Sequence, residues 1–137
     1  MSYDLMVFEK TKAPSTKKEF MTWFEKQTEW NEGHDYQSIG VSSPALQNWF
    51  MEMKDTFPPL NGEYAPDVES LDEDEDLENH VTDYSIGREV IYAGFSWSVV
   101  DEAYELVQTL AQKHGVGFFD VSSDDGQIIL PDGSEII

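Results

Sequence analysis

The chain has 137 residues, 39% of them hydrophobic and 13% aromatic, and a formal net charge of −20. This length and composition predict one folded domain over residues 1–137, large enough to bury a core of its own. The absence of cysteine excludes disulfides, thiolate metal sites and a cysteine nucleophile, and the acidic charge disfavours direct contact with nucleic acid or anionic lipid.

The N-terminal part predicts a strand followed by two amphipathic helices. Residues 3–9 are rich in β-formers and apolar on both faces, which predicts a central strand covered on both sides. The first helix is predicted to begin after Thr16, which has capping-box spacing with the glutamate three residues later, and to end near residue 30. The second is predicted between Ser43, its N-cap, and Pro58, which forbids continuation.

The middle of the chain loses hydrophobic periodicity over residues 60–81. Gly, Pro, Asn and carboxylates dominate there, so we predict a mobile acidic loop inserted into the domain. Two short β-rich runs follow at residues 82–86 and 89–95, and the Gly87-Arg88 dipeptide between them is typical of a hairpin turn.

The C-terminal part predicts a third long helix, capped by Ser98 and ending at Gly115, and two further strands over residues 116–121 and 127–130. The hydrophobic stripes of the helices predict that Trp49 and Leu110 are core residues. The element order β-α-α-β-β-α-β-β predicts an α+β fold, with a mostly antiparallel sheet and helices on one face, as a variant of the ferredoxin-like pattern.

Negative charge is concentrated in the second half of the chain. Residues 1–54 carry eight acidic and six basic side chains, a net −2, so residues 55–137 supply the remaining −18. Between Lys54 and Arg88 there are eleven acidic side chains and no basic one. A field this asymmetric favours a basic protein partner and speeds its association.

Candidate partner-binding residues combine the acidic run with aromatic rings that fit no helical stripe. Aromatic rings beside carboxylates are typical of interfaces that receive Lys and Arg side chains. Trp30 and Tyr36 are two such rings. The predicted partner-binding set is Asp72, Glu73, Asp74, Glu75, Asp76, Glu78, Tyr64 and Tyr84.

Metal and catalytic motifs are weak. The D-x-D-x-D spacing from Asp72 suggests a calcium loop, but Leu77 and Asp83 stand where an EF-hand requires glycine and a closing glutamate. A second carboxylate-rich turn before Gly126 fits ordinary hairpin chemistry. No histidine has a metal-binding partner at helical spacing, so no catalytic residue, metal site or cofactor is predicted. The histidines, the strongest general-base candidates, are His34, His80 and His114.

Several stretches resemble parts of short uncharacterised bacterial proteins that open with a similar strand. They are residues 84–87, 95–98 and 114–122, together with Ala103-Tyr104. Small acidic proteins of this kind are similar to the immunity proteins that accompany secreted polymorphic toxins. The resemblance covers about the last third of the chain and the first strand, and its motifs are structural, so it implies no catalytic residue.

Three functions remain open. The first is an immunity protein whose negative flank covers the active surface of a basic toxin, such as a nuclease. The second is a nucleic-acid mimic or adaptor for a DNA-binding protein, which the same charge supports. The third is a small enzyme or ligand-binding domain that uses the face of the sheet.

We expect the first of these, and a binding protein rather than an enzyme. The N-terminus lacks the basic and apolar regions of a signal peptide, and no apolar run approaches bilayer-spanning length, which predicts a cytoplasmic protein without membrane contact. The sequence determines neither the partner's identity nor the oligomeric state.

Overall fold

A computed structural model describes residues 2–136 and has an α+β fold, in which these residues form a five-stranded antiparallel sheet and five α-helices. The strands are β1 (Tyr3–Phe8), β2 (Asp83–Ile86), β3 (Val90–Phe95), β4 (Gly117–Phe119) and β5 (Ile128–Ile129). The helices are α1 (Lys17–Gln27), α2 (Pro44–Thr56), α3 (Val68–Glu73), α4 (Glu75–His80) and α5 (Val100–His114). Short 3-10 turns occupy Lys10–Lys12, Ile39–Val41 and Trp97–Val99.

The sheet has the spatial order β2-β3-β1-β4-β5, and every neighbouring pair is antiparallel. Strands β1 and β2 are therefore parallel to each other with β3 between them, and β3 and β4 flank β1 in the same way. The crossovers that contain α2 and α5 thus form two split βαβ units, which is the ferredoxin-like arrangement for four of the strands. Strand β5 and helix α1 are additions to that arrangement.

The prediction that the helices cover one face is wrong for α1. Leu5 and Val7 of β1 belong to a buried cluster with α2 and α5, on what we call the α2/α5 face. Met6 and Phe8 belong to a second buried cluster with Phe20 of α1, on the opposite face of the sheet, which we call the α1 face. Because β1 is apolar on both sides, both sides must be covered, as its sequence pattern predicts.

The predicted starts of α1 and α2 are confirmed. The Thr16 hydroxyl accepts a hydrogen bond from the Glu19 amide at 3.3 Å, and the Ser43 hydroxyl accepts one from the Leu46 amide at 3.4 Å. Helix α1 ends at Gln27, earlier than predicted, so the residues up to position 30 lie outside it.

The start of α5 differs from the prediction. Ser98 does not cap it, because Trp97–Val99 forms a separate 3-10 turn in which the Ser96 hydroxyl accepts a hydrogen bond from the Ser98 amide. Helix α5 begins after Val99 without a side-chain cap. Its predicted end is confirmed, because Gly115 has the left-handed φ of 73° that favours glycine.

The predicted core residues are buried. Trp49 has no exposed surface, and its indole N–H donates to the Val107 carbonyl at 3.3 Å. Leu110 is 6% exposed and packs in the same cluster.

Within residues 2–136 no helix combines the length and hydropathy that crossing a membrane requires.

The segment predicted as a loop over residues 60–81 contains α3 and α4, so the prediction that it lacks secondary structure is wrong. Two aspartates act as helix caps. The Asp67 carboxylate accepts from the Ser70 amide at 2.7 Å, and the Asp74 carboxylate accepts from the Leu77 amide at 3.2 Å. Acidic side chains in a first helical turn also complement the helix dipole, so this density of carboxylates is compatible with short helices.

Candidate functional site

The acidic segment leaves and rejoins the fold at a single point. We call residues 61–81 the acidic arm. At its base the Leu60 amide donates to the Thr82 carbonyl at 2.8 Å, and the Thr82 amide donates to the Pro58 carbonyl at 2.9 Å. These two backbone hydrogen bonds close the excursion directly before β2, so the position of the arm's base is determined by the sheet.

His80 fastens the end of the arm to the α2/α5 layer. Its ring lies 5.0 Å from the Phe57 ring, its Nε2 lies 2.7 Å from Oε1 of Glu102, and its Nδ1 lies 2.7 Å from the Asp76 carbonyl. Both partner atoms are acceptors, so both bonds can form together only when the ring is protonated.

The same contacts determine how His80 titrates. Burial lowers the pKa of His80, but the hydrogen bonds to Glu102 and to the Asp76 carbonyl, and the negative charges of both residues, outweigh burial and raise the pKa. The protonated ring is thus the form that holds the arm in place.

The arm presents its carboxylates to solvent. All six acidic residues of the predicted partner-binding set are exposed: Asp72, Glu73, Asp74, Glu75, Asp76 and Glu78. Among residues 2–136, the only ion-pair partner of these carboxylates is His80, whose Nδ1 lies 3.8 Å from the Asp76 carboxylate. Their negative charge is therefore available to a cationic partner.

Exposed apolar side chains lie on or beside the arm. Val68 is 73% exposed and Tyr64 is 38% exposed. The turn Trp97–Val99 contacts α4, and Trp97 is 52% exposed, with its ring packed edge-on against Tyr3 at 5.0 Å. Carboxylates mixed with exposed aromatic and aliphatic side chains form a surface suited to protein contact.

The two predicted tyrosine anchors differ. Tyr64 lies at the surface, with Lys54 Nζ 5.1 Å from its ring centroid. Tyr84 is only 7% exposed, and its hydroxyl donates to the Phe57 carbonyl at 2.7 Å. Because Tyr84 is a core residue on the inward side of β2, its ring is not available to a partner and we remove it from the candidate surface.

The α1 face carries a second candidate feature, a cleft of about 360 Å³ that we call the sheet-face cleft. Three strands form its floor, and the end of α1 with the residues after it forms one wall. The lining residues are Ser2, Asp4, Phe24, Thr28, Trp30, Asp83, Ser85, Tyr92 and Gly94.

A row across the sheet forms the acidic end of this floor. Gly94 of β3 is paired with Asp4 of β1 on one side and with Asp83 of β2 on the other. Two strand spacings place the Cα atoms of the aspartates about 10 Å apart. Gly94 contributes no side chain to the row, and the Ser2 hydroxyl and the Asp4 carboxylate lie 3.0 Å and 3.2 Å from the position that a Cβ atom would take there.

The Asp4 carboxylate is held in position by neutral donors. It accepts from the Ser2 hydroxyl at 2.6 Å and from the Tyr92 hydroxyl at 2.5 Å. Burial, with the hydrogen bond and charge of Asp4, raises the pKa of Tyr92, so the phenol stays a donor. Within residues 2–136 neither Asp4 nor Asp83 forms an ion pair, and no side chain donates a hydrogen bond to Asp83.

Trp30 forms the aromatic wall of the cleft in an unusual backbone conformation. Its φ is 55°, in the left-handed region that non-glycine residues rarely adopt, and Tyr36 has a φ of 61°. The Trp30 ring packs edge-on against Tyr36 at 5.1 Å and against Tyr92 at 6.0 Å. These two rings therefore hold the indole over the floor of the cleft.

The arm and the cleft lie at the same end of the sheet, on opposite faces. Helix α4 of the arm ends at His80 on the α2/α5 side, and three residues later Asp83 lines the cleft on the α1 side. Trp30 was recognised from the sequence as an aromatic ring outside the helical stripes, but the cleft was not predicted. The sequence does contain an indication of the cleft, because polar and apolar residues alternate along β2. Asp83 and Ser85 lie on the α1 face, and Tyr84 and Ile86 lie on the α2/α5 face.

The remaining sequence candidates have structural contacts. Nε2 of His34 lies 2.9 Å from the Glu32 carboxylate, and Nε2 of His114 lies 2.9 Å from the Glu52 carboxylate. No group of three or more His, Asp or Glu side chains within residues 2–136 is arranged to hold a metal ion.

The C-terminal acidic turn is tied to β1. Asp120 is 5% exposed and accepts from the Tyr3 hydroxyl at 2.7 Å, while the Ser122 hydroxyl accepts from the Asp4 amide at 2.8 Å. Burial raises the pKa of Asp120 despite hydrogen bonds from Tyr3 and Ser123, and burial with the Asp120 contact raises the pKa of Tyr3 to about 12. These contacts join the strand ends and agree with the structural interpretation of this turn.

Comparison with known proteins finds no match for this chain among protein-family models, curated proteins or solved structures. The resemblance to immunity proteins therefore has no support from relatives, and function has to be argued from the surface itself.

Proposed function

We propose that this protein is an acidic binding protein that neutralises a basic protein partner, as immunity proteins neutralise toxins. The observation that carries the proposal is the acidic arm, whose six exposed carboxylates lie on two short helices and on the cap residue between them. None of the six is paired with a lysine or arginine among residues 2–136, and His80 holds the end of the arm against α5. A nuclease toxin fits this chemistry, because its substrate-binding surface is basic. The proposed place of action is the cytoplasm, with no membrane contact.

The arm has a role in both stages of association. At long range its negative field orients and accelerates the approach of a basic surface. At short range the exposed apolar side chains beside it, Tyr64, Val68 and Trp97, supply the desolvated contacts that slow dissociation. The anchors at His80 and Thr82 reduce the freedom that the arm would lose on binding, which favours affinity.

The test is association kinetics with the protein encoded by the neighbouring gene, measured by stopped flow across a salt series. The Debye length falls from about 30 Å at 0.01 M salt to about 8 Å at 0.15 M, so a steered on-rate should fall steeply over this range. The off-rate should change much less, because it depends on packed contacts. If that protein is a toxin, its activity should be suppressed at stoichiometric ratio.

Two triple variants isolate the arm. Replacing Asp72, Asp74 and Asp76 with asparagine should lower the on-rate at low salt about tenfold, a size within the range of electrostatic steering. The matched control removes three exposed charges elsewhere, by the substitutions Glu25→Gln, Glu105→Gln and Asp124→Asn. It should lower the on-rate by less than about threefold, because steering depends on where the charge lies.

Two aromatic variants test the short-range contacts. Tyr64→Ala and Trp97→Ala should act mainly on the off-rate, since exposed rings near the centre of a contact become desolvated anchors. A salt-independent on-rate, or equal on-rates for the arm variant and its control, would remove the electrostatic basis of the proposal.

A further inference from the structure

We propose that the sheet-face cleft receives the guanidinium group of an arginine side chain from the basic partner. The inference rests on the proposed function for the identity of the partner, but the chemistry of the cleft can be tested without it. Its residues are Asp4 and Asp83 as anionic contacts, Trp30 and Tyr92 as aromatic contacts, and Gly94 as the floor between the two aspartates.

The charge of the cleft sets the class of ligand. Two aspartates lie on either side of Gly94, which has no side chain, and no lysine or arginine is among the lining residues. Both side-chain donors to Asp4, the Ser2 and Tyr92 hydroxyls, are neutral, and Asp83 accepts no side-chain hydrogen bond within residues 2–136. Like charges placed this way repel, so a cation between them is favoured.

The shape of the cleft favours arginine over lysine. The aspartates approach from opposite sides of Gly94, and a planar guanidinium has donors on more than one edge, so it can contact both. The Trp30 indole and the Phe24 ring line the wall, where aromatic faces can contact a guanidinium plane. An ammonium group is a compact point charge that makes less use of such a site.

The position of the cleft points to a protein as the source of the arginine. Asp83 lies two residues after the acidic arm, so both features lie at the same end of the sheet. A basic surface steered to the arm is thereby brought to the end of the sheet at which the cleft lies, on the opposite face. The left-handed backbone at Trp30 is consistent with this role, because such conformations are enriched at ligand sites.

The experiment is a titration of the isotope-labelled protein, followed by ¹H–¹⁵N NMR, with the peptide acetyl-(Arg-Gly)₄-amide. Tryptophan indole signals report on separate regions: Trp30 on the cleft, Trp97 on the surface beside the arm, and Trp49 on the core. We expect saturable shifts of the Trp30 indole and the Gly94 amide, with Trp49 unchanged. The citrulline peptide, which has the same shape but no charge, should produce no saturable shift at these positions.

Substitutions at the floor test the residues. Asp83→Asn should raise the peptide's dissociation constant about threefold to tenfold, the range expected for loss of one charged contact. Glu105→Gln, an equal loss of charge at an exposed position of α5, should change it by less than about twofold. Gly94→Ala places a methyl group 3.0 Å from the Ser2 hydroxyl and 3.2 Å from the Asp4 carboxylate, so it should also weaken binding by narrowing the cleft.

The possible results separate this inference from the proposed function. Shifts confined to Trp97 and the arm would overturn the cleft as an arginine site and leave the acidic arm as the binding surface. Equal shifts with arginine and citrulline peptides, or an unchanged dissociation constant in Asp83→Asn, would also overturn it. Saturable binding at Trp30, together with a salt-independent on-rate for the neighbouring gene's product, would support the cleft and count against the proposed function.

Discussion

The two faces of the sheet differ in how completely helices cover them. On the α2/α5 face, strands and helices share one continuous buried cluster. On the α1 face, the 11-residue helix α1 covers the region around Phe8 and Phe119, and beyond its end the floor is the polar row of Asp4, Gly94 and Asp83. Strand positions can stay polar where the helical layer ends, so the cleft exists because coverage stops there.

The largest expected difference between the faces is in stability. Replacing Trp49 with alanine should cost about 3 to 5 kcal/mol of unfolding free energy, and replacing Leu110 with alanine about 2 to 5 kcal/mol, because both are buried on the α2/α5 face. Trp30→Ala, on the open part of the other face, should cost about 1 kcal/mol, as for most single substitutions. Urea denaturation measures all three. A cost below about 0.5 kcal/mol for either substitution would contradict the burial of that side chain on the α2/α5 face.

Two glycines on the α1 face should differ in how much stability they lose when the same methyl group is added. At Gly117 a Cβ atom would lie 2.2 Å from the Phe8 ring under α1, so Gly117→Ala should cost about 1 to 3 kcal/mol through overpacking. At Gly94 the nearest atom would be the exposed Ser2 hydroxyl, so Gly94→Ala should change stability by less than about 0.5 kcal/mol. Thermal unfolding compares the pair, and equal losses would mean that the cleft is packed as tightly as the covered half.

The attachment of the acidic arm to the α2/α5 face, through His80, should depend on pH. Because the pKa of His80 is raised in the folded state, its contribution is fully present below its unfolded pKa of about 6.5 and is lost as pH rises through the folded pKa. Hydrogen exchange of the α4 amides should therefore increase relative to β3 over that interval, after correction for intrinsic rates.

His80→Ala should abolish this pH dependence and cost about 1 to 2 kcal/mol, since it removes a hydrogen bond to a charged group. The mobility of the arm stays a prediction, and the same exchange measurement tests it. An unchanged pH dependence in the variant would assign the effect to another group.

The smallest expected effect is on stability when arm charges are removed. The triple substitution of Asp72, Asp74 and Asp76 with asparagine should change the unfolding free energy by less than about 0.5 kcal/mol, because all three side chains are exposed and asparagine can replace Asp74 as a helix cap. Urea denaturation at 0.15 M salt provides the check. A large loss would mean that the arm's carboxylates stabilise the fold, and a reduced on-rate would then need a structural explanation.

Features that depend on neighbouring residues could be predicted from the sequence. The doubly apolar pattern of β1 predicted a strand covered on both faces, and the caps at Thr16 and Ser43 were recognised from local spacing. The helical stripes predicted burial of Trp49 and Leu110. The α+β class followed because strand and helix periodicities are written into short windows of sequence.

Features that depend on contacts distant in the chain were decided by the tertiary structure. Helix α1 lies on the face of the sheet opposite α2 and α5, and Tyr84 is buried in the core. His80 is hydrogen-bonded to Glu102 of α5. The row of Asp4, Gly94 and Asp83 exists only through the register of three strands. Strand register and helix placement are set by packing of the whole sheet, and a local pattern does not contain that information.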